Sequence, residues 1–154
     1  MKKRLGIIVN PIAGIGGKAG LKGSDNPELI RQAISQGFEP ESPRKAVTTL
    51  KEISALVPLA KIAISAAPKE MGENEVRLSG LNPKVIGEIE EETTPADTEI
   101  IAKQMLKAGI DLLLFFGGDG TARNIYNAVG ANTNTVILGI PAGVKMHSAV
   151  FATN

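Results

Sequence analysis

LLLFFGGDGTARNIYNAVG, Leu112 to Gly130, passes from five apolar residues through a glycine-flanked acid into a segment with helical spacing. The apolar run does not alternate, as expected of a central parallel strand covered on both faces. A helix is expected from about Thr121 to Val129, so the stretch reads as strand, tight turn, helix. Asp119 sits in the turn, and two roles fit it. As N-cap, Asp119 or Thr121 would begin the helix, worth about 1 kcal/mol. Alternatively, Gly117, Gly118 and Gly120 permit positive φ and close approach of a ligand, and the helix start aims its amides at the same place. Asp119 would then hold Mg²⁺ or take a proton from a hydroxyl attacking a phosphoryl group. Capping alone does not call for three glycines.

Working outward, Leu5 to Val9 is a β-branched strand that ends at Asn10-Pro11. Asn26 caps a helix with Pro27 at its first position, with Leu29, Ile30, Ala33 and Ile34 on one face and Gly37 as the stop. Ser42-Pro43 gives the same start signal to a helix carrying Ala46, Leu50, Ile53 and Val57, ended by Pro58. Lys61 to Ala66 reads as a strand, Pro68 to Ser79 as a helix, and Val85 to Ile89 as a third strand alternating with Glu88 and Glu90. Thr94-Pro95 opens a helix with Ile101, Met105 and Ala108 on one side and a stop at Gly109, and Thr135 to Ile140 is the last strand. This alternation implies a three-layer, doubly wound, Rossmann-like α/β fold: a mainly parallel sheet of about five to six strands with helices on both faces.

Composition narrows the function. The length of 154 residues suits one domain. The chain is 43% apolar but only 3% aromatic, so its core rests on Ile, Val, Leu and Ala. Seventeen Lys and Arg against 16 Asp and Glu leave a charge of +1, which gives no field for nucleic acid or an anionic membrane. The absence of cysteine excludes disulfides and thiolate metal sites. Lys2-Lys3-Arg4 precedes an apolar run that halts at Asn10-Pro11, too soon for an export signal, and no stretch has membrane-spanning length, so a cytoplasmic location is expected. Glu90-Glu91-Glu92 reads as a solvated strand end. The apolar Ala149-Val150-Phe151-Ala152 near the last residue suggests one α/β nucleotide-binding domain, 1–154, from a longer protein, with Val150-Phe151 as an exposed interface.

Two further loops reach the edge where doubly wound folds bind ligands. Asn10 to Gly20 offers Gly14, Gly16 and Gly17 for backbone contact with an anion and Lys18 as a positive charge. It is not a Walker A loop, because no Ser or Thr follows Lys18, and Ala19 stands where a dinucleotide fingerprint usually has glycine. The loop from Ile140 to Ser148 offers Lys145 to a phosphate, and His147 or Ser148 to a ribose or phosphate oxygen. His147 is the only histidine, so neither a His-based metal site nor a Ser-His-Asp triad is supported.

Asn10-Pro11-x-Ala13-Gly14-x-Gly16-Gly17, followed far downstream by Gly117-Gly118-Asp119-Gly120-Thr121, resembles the superfamily of NAD kinases, diacylglycerol and sphingosine kinases, and phosphofructokinases. Lipid kinases of this group usually continue the last strand with Pro-x-Gly-Thr-x-Asn-Asp. Here Pro141-Ala142-Gly143 runs into Val144-Lys145-Met146-His147, which counts against them. Gly20 to Asp25, Gly117 to Asn124 and Pro141 to Ala149 together look like the ATP- or polyphosphate-dependent NAD kinases of the branch that includes a protein associated with acetoin catabolism.

The resemblance implies a kinase domain that moves a phosphoryl group from ATP or polyphosphate to NAD, with Mg²⁺ and with Asp119 acting on the acceptor hydroxyl or its metal. It implies a phosphate-facing turn of Gly117, Gly118, Gly120 and Thr121, joined by Asn124, and a nucleotide site lined by Asn10, Gly14, Gly16 and Gly17. Lys18, Lys145 and His147 are added from their places in the loops. The expected partners are small-molecule nucleotides, a second copy of the chain and a β-rich C-terminal domain that completes the pocket, with this piece alone a poor catalyst. A regulatory nucleotide-binding module without turnover, or a kinase for another small alcohol or a lipid, are the competing expectations.

Overall fold

The computed structural model describes residues 1–20, 26–131, 133–143 and 146–151, with Lys18 described in its backbone alone. Among these residues five strands form one sheet: β1 (Lys3–Val9), β2 (Ile62–Ala66), β3 (Lys84–Val85), β4 (Leu112–Gly117) and β5 (Val136–Pro141). The order is β3-β2-β1-β4-β5 and every pairing is parallel. Strand order therefore reverses between β1 and β4, where Leu5 pairs with Leu112 and Val9 with Phe116.

Among the described residues six α-helices complete the layers: α1 (Ile15–Lys18), α2 (Pro27–Ser35), α3 (Glu41–Leu56), α4 (Glu73–Leu78), α5 (Pro95–Lys107) and α6 (Asp119–Val129). The strand period of two assigns them to faces. Leu5, Ile7 and Val9 join Leu114 and Phe116 beneath Ala46 and Leu50 of α3 and Val76 of α4. Ile8, Leu113 and Phe115 point the other way, into Ile101, Ala102 and Met105 of α5 and Ala122 and Ile125 of α6. Each large side chain buried this way is worth about 1.5–3 kcal/mol. The doubly wound reading is therefore the observed architecture. A third, smaller cluster of Ile15, Ile30 and Ala33, with Ile12 and Phe38 against it, packs α1 onto α2.

Local differences from the sequence expectation have physical reasons. α3 starts at Glu41, ahead of Ser42-Pro43, because the Glu41 and Ser42 amides both donate to Ala13 O, at 3.0 and 3.2 Å. Its last turn ends at Leu56, which leaves Val57 outside and 37% exposed. Pro68 to Ser79 is two pieces, a 3₁₀ turn at Lys69–Met71 and then α4, divided at Gly72, whose φ is 147°. The expected strand Val85 to Ile89 pairs only through Lys84–Val85, and Gly87, at φ 94°, turns the chain away. On α2, Ile30 and Ala33 are buried while Leu29 and Ile34 are 41% and 50% exposed, so the inward stripe is narrower than expected. Ala108 is likewise exposed at the end of α5.

The stretch near the last residue is packed as well. Gly139 N–H donates to Val150 O at 2.8 Å, and the Phe151 ring meets Phe115 edge-on at 5.6 Å between centroids. Val150 is 37% exposed, so the expected open apolar interface is half docked onto β5. No described helix is long and apolar enough to cross a membrane.

Candidate functional site

Three strand ends bring the three loops together. β4 lies between β1 and β5, and the chain stays clamped past its last residues: Asn10 N–H donates to Phe116 O and Ala142 N–H to Gly117 O, both at 2.9 Å. The turn after β4 is thus held from both sides at the carboxyl edge, at the point of strand-order reversal where doubly wound folds bind ligands.

Asn10 links the first loop to the second. Its Nδ2 donates to Thr121 Oγ1 at 2.9 Å, while its Oδ1 accepts from Ile12 N–H at 3.1 Å. Thr121 is 3% exposed, and its hydroxyl is the acceptor of the Asn10 bond. The first loop then turns at Gly14, with φ 87°, where a Cβ would stand 2.6 Å from Glu41 Cβ and 2.8 Å from Ala142 O. Glycine is required there by conformation and by space. The loop read as open chain contains α1, so Gly16 lies buried within a helical turn and Gly17 exposed on it.

The glycines around Asp119 work differently from the sequence expectation, since none of them has positive φ. A Cβ on Gly117 would collide with the Thr121 side chain, and Gly118 lies against Gly143, whose added Cβ would be 3.2 Å from the Gly118 Cα. Gly117 is thus required by Thr121 within its own turn and Gly143 by the approach to Gly118, whereas a Cβ on Gly118 itself would make only ordinary contact, 3.7 Å from the Gly143 Cα. Gly120 meets nothing within 4 Å and opens to solvent.

Asp119 is no side-chain cap. Gly118 is the N-cap of α6, without a side-chain cap bond, and Asp119 is the first helical residue. Its carboxylate reaches the third loop instead: Oδ2 accepts from His147 N–H at 2.8 Å and Oδ1 from Ser148 N–H at 3.1 Å. The His147 amide is the main reason the carboxyl titrates below its ordinary range; burial opposes it, and the Ser148 hydroxyl and amide add to the lowering. Asp119 is therefore ionised across the physiological range and carries its charge at a helix start.

Of the other expected site residues, the His147 side chain is exposed and Asn124 lies half-buried on α6, outside this hydrogen-bonded cluster. Lys145, the Lys18 side chain and residues 21–25 lie outside the described residues. One residue that the sequence reading missed is Lys45, whose Nζ donates to Pro141 O at 2.7 Å and pairs with Glu41 at 3.5 Å. The Glu41/Lys45 spacing of four on a helix was its only signal.

Among the described residues no three His, Cys, Asp or Glu side chains gather to hold a metal. A single carboxylate suits Mg²⁺, which commonly takes one or two protein carboxylates and fills its shell with water and phosphate oxygens. No curated protein matches the chain. The family described as ATP-NAD kinase N-terminal domain matches residues 5–154.

Proposed function

Because the chain belongs to the ATP-NAD kinase family through its N-terminal domain, we propose that it moves the terminal phosphoryl group of ATP or polyphosphate onto the adenosine ribose 2′-hydroxyl of NAD. The observation that carries this reading is the meeting of Asn10, Gly117 to Thr121, Ala142, His147 and Ser148 at the β1/β4 reversal, with the His147 and Ser148 amides on the Asp119 carboxylate. Asp119 is the residue that handles the acceptor hydroxyl. A carboxylate held below its ordinary pKa is a weak base, so its part is to orient the hydroxyl and hold charge near the donor, more than to carry the proton away. Bound Mg²⁺, held by Asp119, would offset charge on the donor phosphates. The exposed Gly17 and Gly120 leave backbone open to the nucleotide. The sequences Gly20 to Asp25, Gly117 to Asn124 and Pro141 to Ala149 together support the acetoin-associated branch of that family as part of this proposal. A β-rich C-terminal domain would complete the dinucleotide pocket, in keeping with a family defined on an N-terminal domain.

Asp119→Asn in the protein with its full pocket should lower NADP formation by about 10²–10³-fold, the range for loss of one preorganised electrostatic contact. Activity equal to the parent's would overturn the role. A second reading has its own observation: both Asp119 oxygens are occupied by the third loop, as they would be in a binding module without turnover. Tight NAD or ATP binding with no turnover from any phosphoryl donor would favour it.

A further inference from the structure

Beyond the loop cluster, a groove of about 270 Å³ opens between α3 and the exit of β5, lined by Arg44, Lys45, Thr48, Thr49, Ile140 and Pro141. From this groove we propose a phosphate-binding site separate from the Asp119 turn, whose ligand is a free oligophosphate or the phosphate tail of a nucleotide.

The donors are arranged on one helix. Lys45 is fixed, because Pro141 O at 2.7 Å and Glu41 at 3.5 Å hold its ammonium at the groove floor while one N–H remains to be used. Arg44 stands beside it on the exposed side, and among the described residues it has no ion-pair partner. Thr48 spends its hydroxyl proton on Arg44 O at 3.0 Å, whereas the Thr49 hydroxyl has no bond among the described residues. The groove thus offers a guanidinium fork, one ammonium proton and one hydroxyl, with Ile140 and Pro141 as an apolar wall. A tetrahedral phosphate has enough terminal oxygens for all three donors, whereas a carboxylate has two. Glu41 offsets part of the Lys45 charge, which leaves Arg44 as the dominant electrostatic contact.

The groove also borders the loop cluster. Pro141 forms its wall and accepts Lys45, and the next residue, Ala142, donates to Gly117 O at 2.9 Å. The assignment goes beyond the phosphoryl-transfer reading of Asp119 and does not depend on it.

The test is calorimetric titration of the chain with inorganic phosphate, inorganic tripolyphosphate and ATP at low and at raised salt, repeated on Arg44→Ala, Thr49→Val and Asp119→Asn. Arg44 is exposed, so its replacement should leave the fold intact, which circular dichroism checks. Tripolyphosphate binding should weaken with salt, by at least about tenfold in Arg44→Ala as for loss of one charge-assisted hydrogen bond, and by less in Thr49→Val. The Arg44→Ala loss should persist, by the same factor within twofold, when it is combined with Asp119→Asn. Tighter binding of tripolyphosphate than of ATP would identify a free oligophosphate as the occupant, and the reverse order a nucleotide tail. Both orders support the site if they depend on Arg44. Absence of tripolyphosphate binding, equal binding by Arg44→Ala, or a loss confined to Asp119→Asn would overturn it.

Discussion

Glu75 occupies the third position of α4 with 5% of its surface exposed, and its Oε2 has no hydrogen-bond partner among the described residues. Burial pushes its pKa up from 4.5 to about 7, with the Glu70 charge adding to the rise and a bond to its own backbone opposing it. The folded state therefore prefers the neutral acid. The resulting stability is fully present below the unfolded pKa near 4.5 and is lost as pH rises through about 7. At most it amounts to about 3 kcal/mol, from roughly 1.4 kcal/mol per pKa unit. Glu75→Gln should flatten this dependence, so that its urea midpoint gains on the parent's between pH 5 and 8, while the two stay parallel if Glu75 is not the titrating group. Asp119 runs in the opposite sense: its lowered pKa means that its contribution is present above the ordinary carboxyl range and fades on acidification through its folded pKa.

Two helices share a start signal and use it differently. Thr94-Pro95 is a full capping box on α5: Asp97 N–H donates to Thr94 Oγ1 at 3.4 Å and Thr94 N–H to Asp97 Oδ2 at 2.7 Å. Ser42-Pro43 lies one residue inside α3, and the Ser42 hydroxyl is fully buried without a partner among the described residues. Thr94→Ala should cost about 1 kcal/mol in thermal or urea unfolding. Ser42→Ala should be neutral or stabilising by up to about 1 kcal/mol, because it removes an unsatisfied buried hydroxyl. A comparable loss in both variants would show that Ser42 is a working cap after all. This pair also marks where the sequence was legible. Residue type and spacing disclosed α5, α2, the strands β1, β2, β4 and β5, and the turn at Asp119, since each depends on neighbours in the chain. What decides the start of α3 is Ala13 O, which spacing along the helix does not reveal. The same holds for the site: Asp119 and its glycines stood out, whereas its bonds to the His147 and Ser148 amides, and the reach of Lys45 to Pro141, join residues far apart in sequence.

Across the whole molecule, the loop cluster is tied to the sheet at both of its ends. Toward β1, Asn10 bonds Thr121 beneath the turn; beyond the third loop, Phe151 packs on Phe115 in the layer shared with α5 and α6. Phe115 belongs to β4, the strand that delivers Asp119, so one strand supports both the carboxylate and the anchor of the loop it holds. Phe151→Ala should therefore act at a distance. It should cost about 2 kcal/mol, less than the roughly 3–5 of a fully buried phenylalanine because the ring is half-buried. It should also raise the exchange rate of the His147 and Ser148 amides by at least about tenfold, as local opening of this segment no longer has to undock a ring. Amides within β4 should change only by the small global loss. Asp119→Asn should speed the same two loop amides while leaving the Gly139 amide, bonded to Val150, protected. Unchanged exchange at residues 147 and 148 in Phe151→Ala would mean that Asp119 alone holds the loop and that the aromatic contact serves only the core.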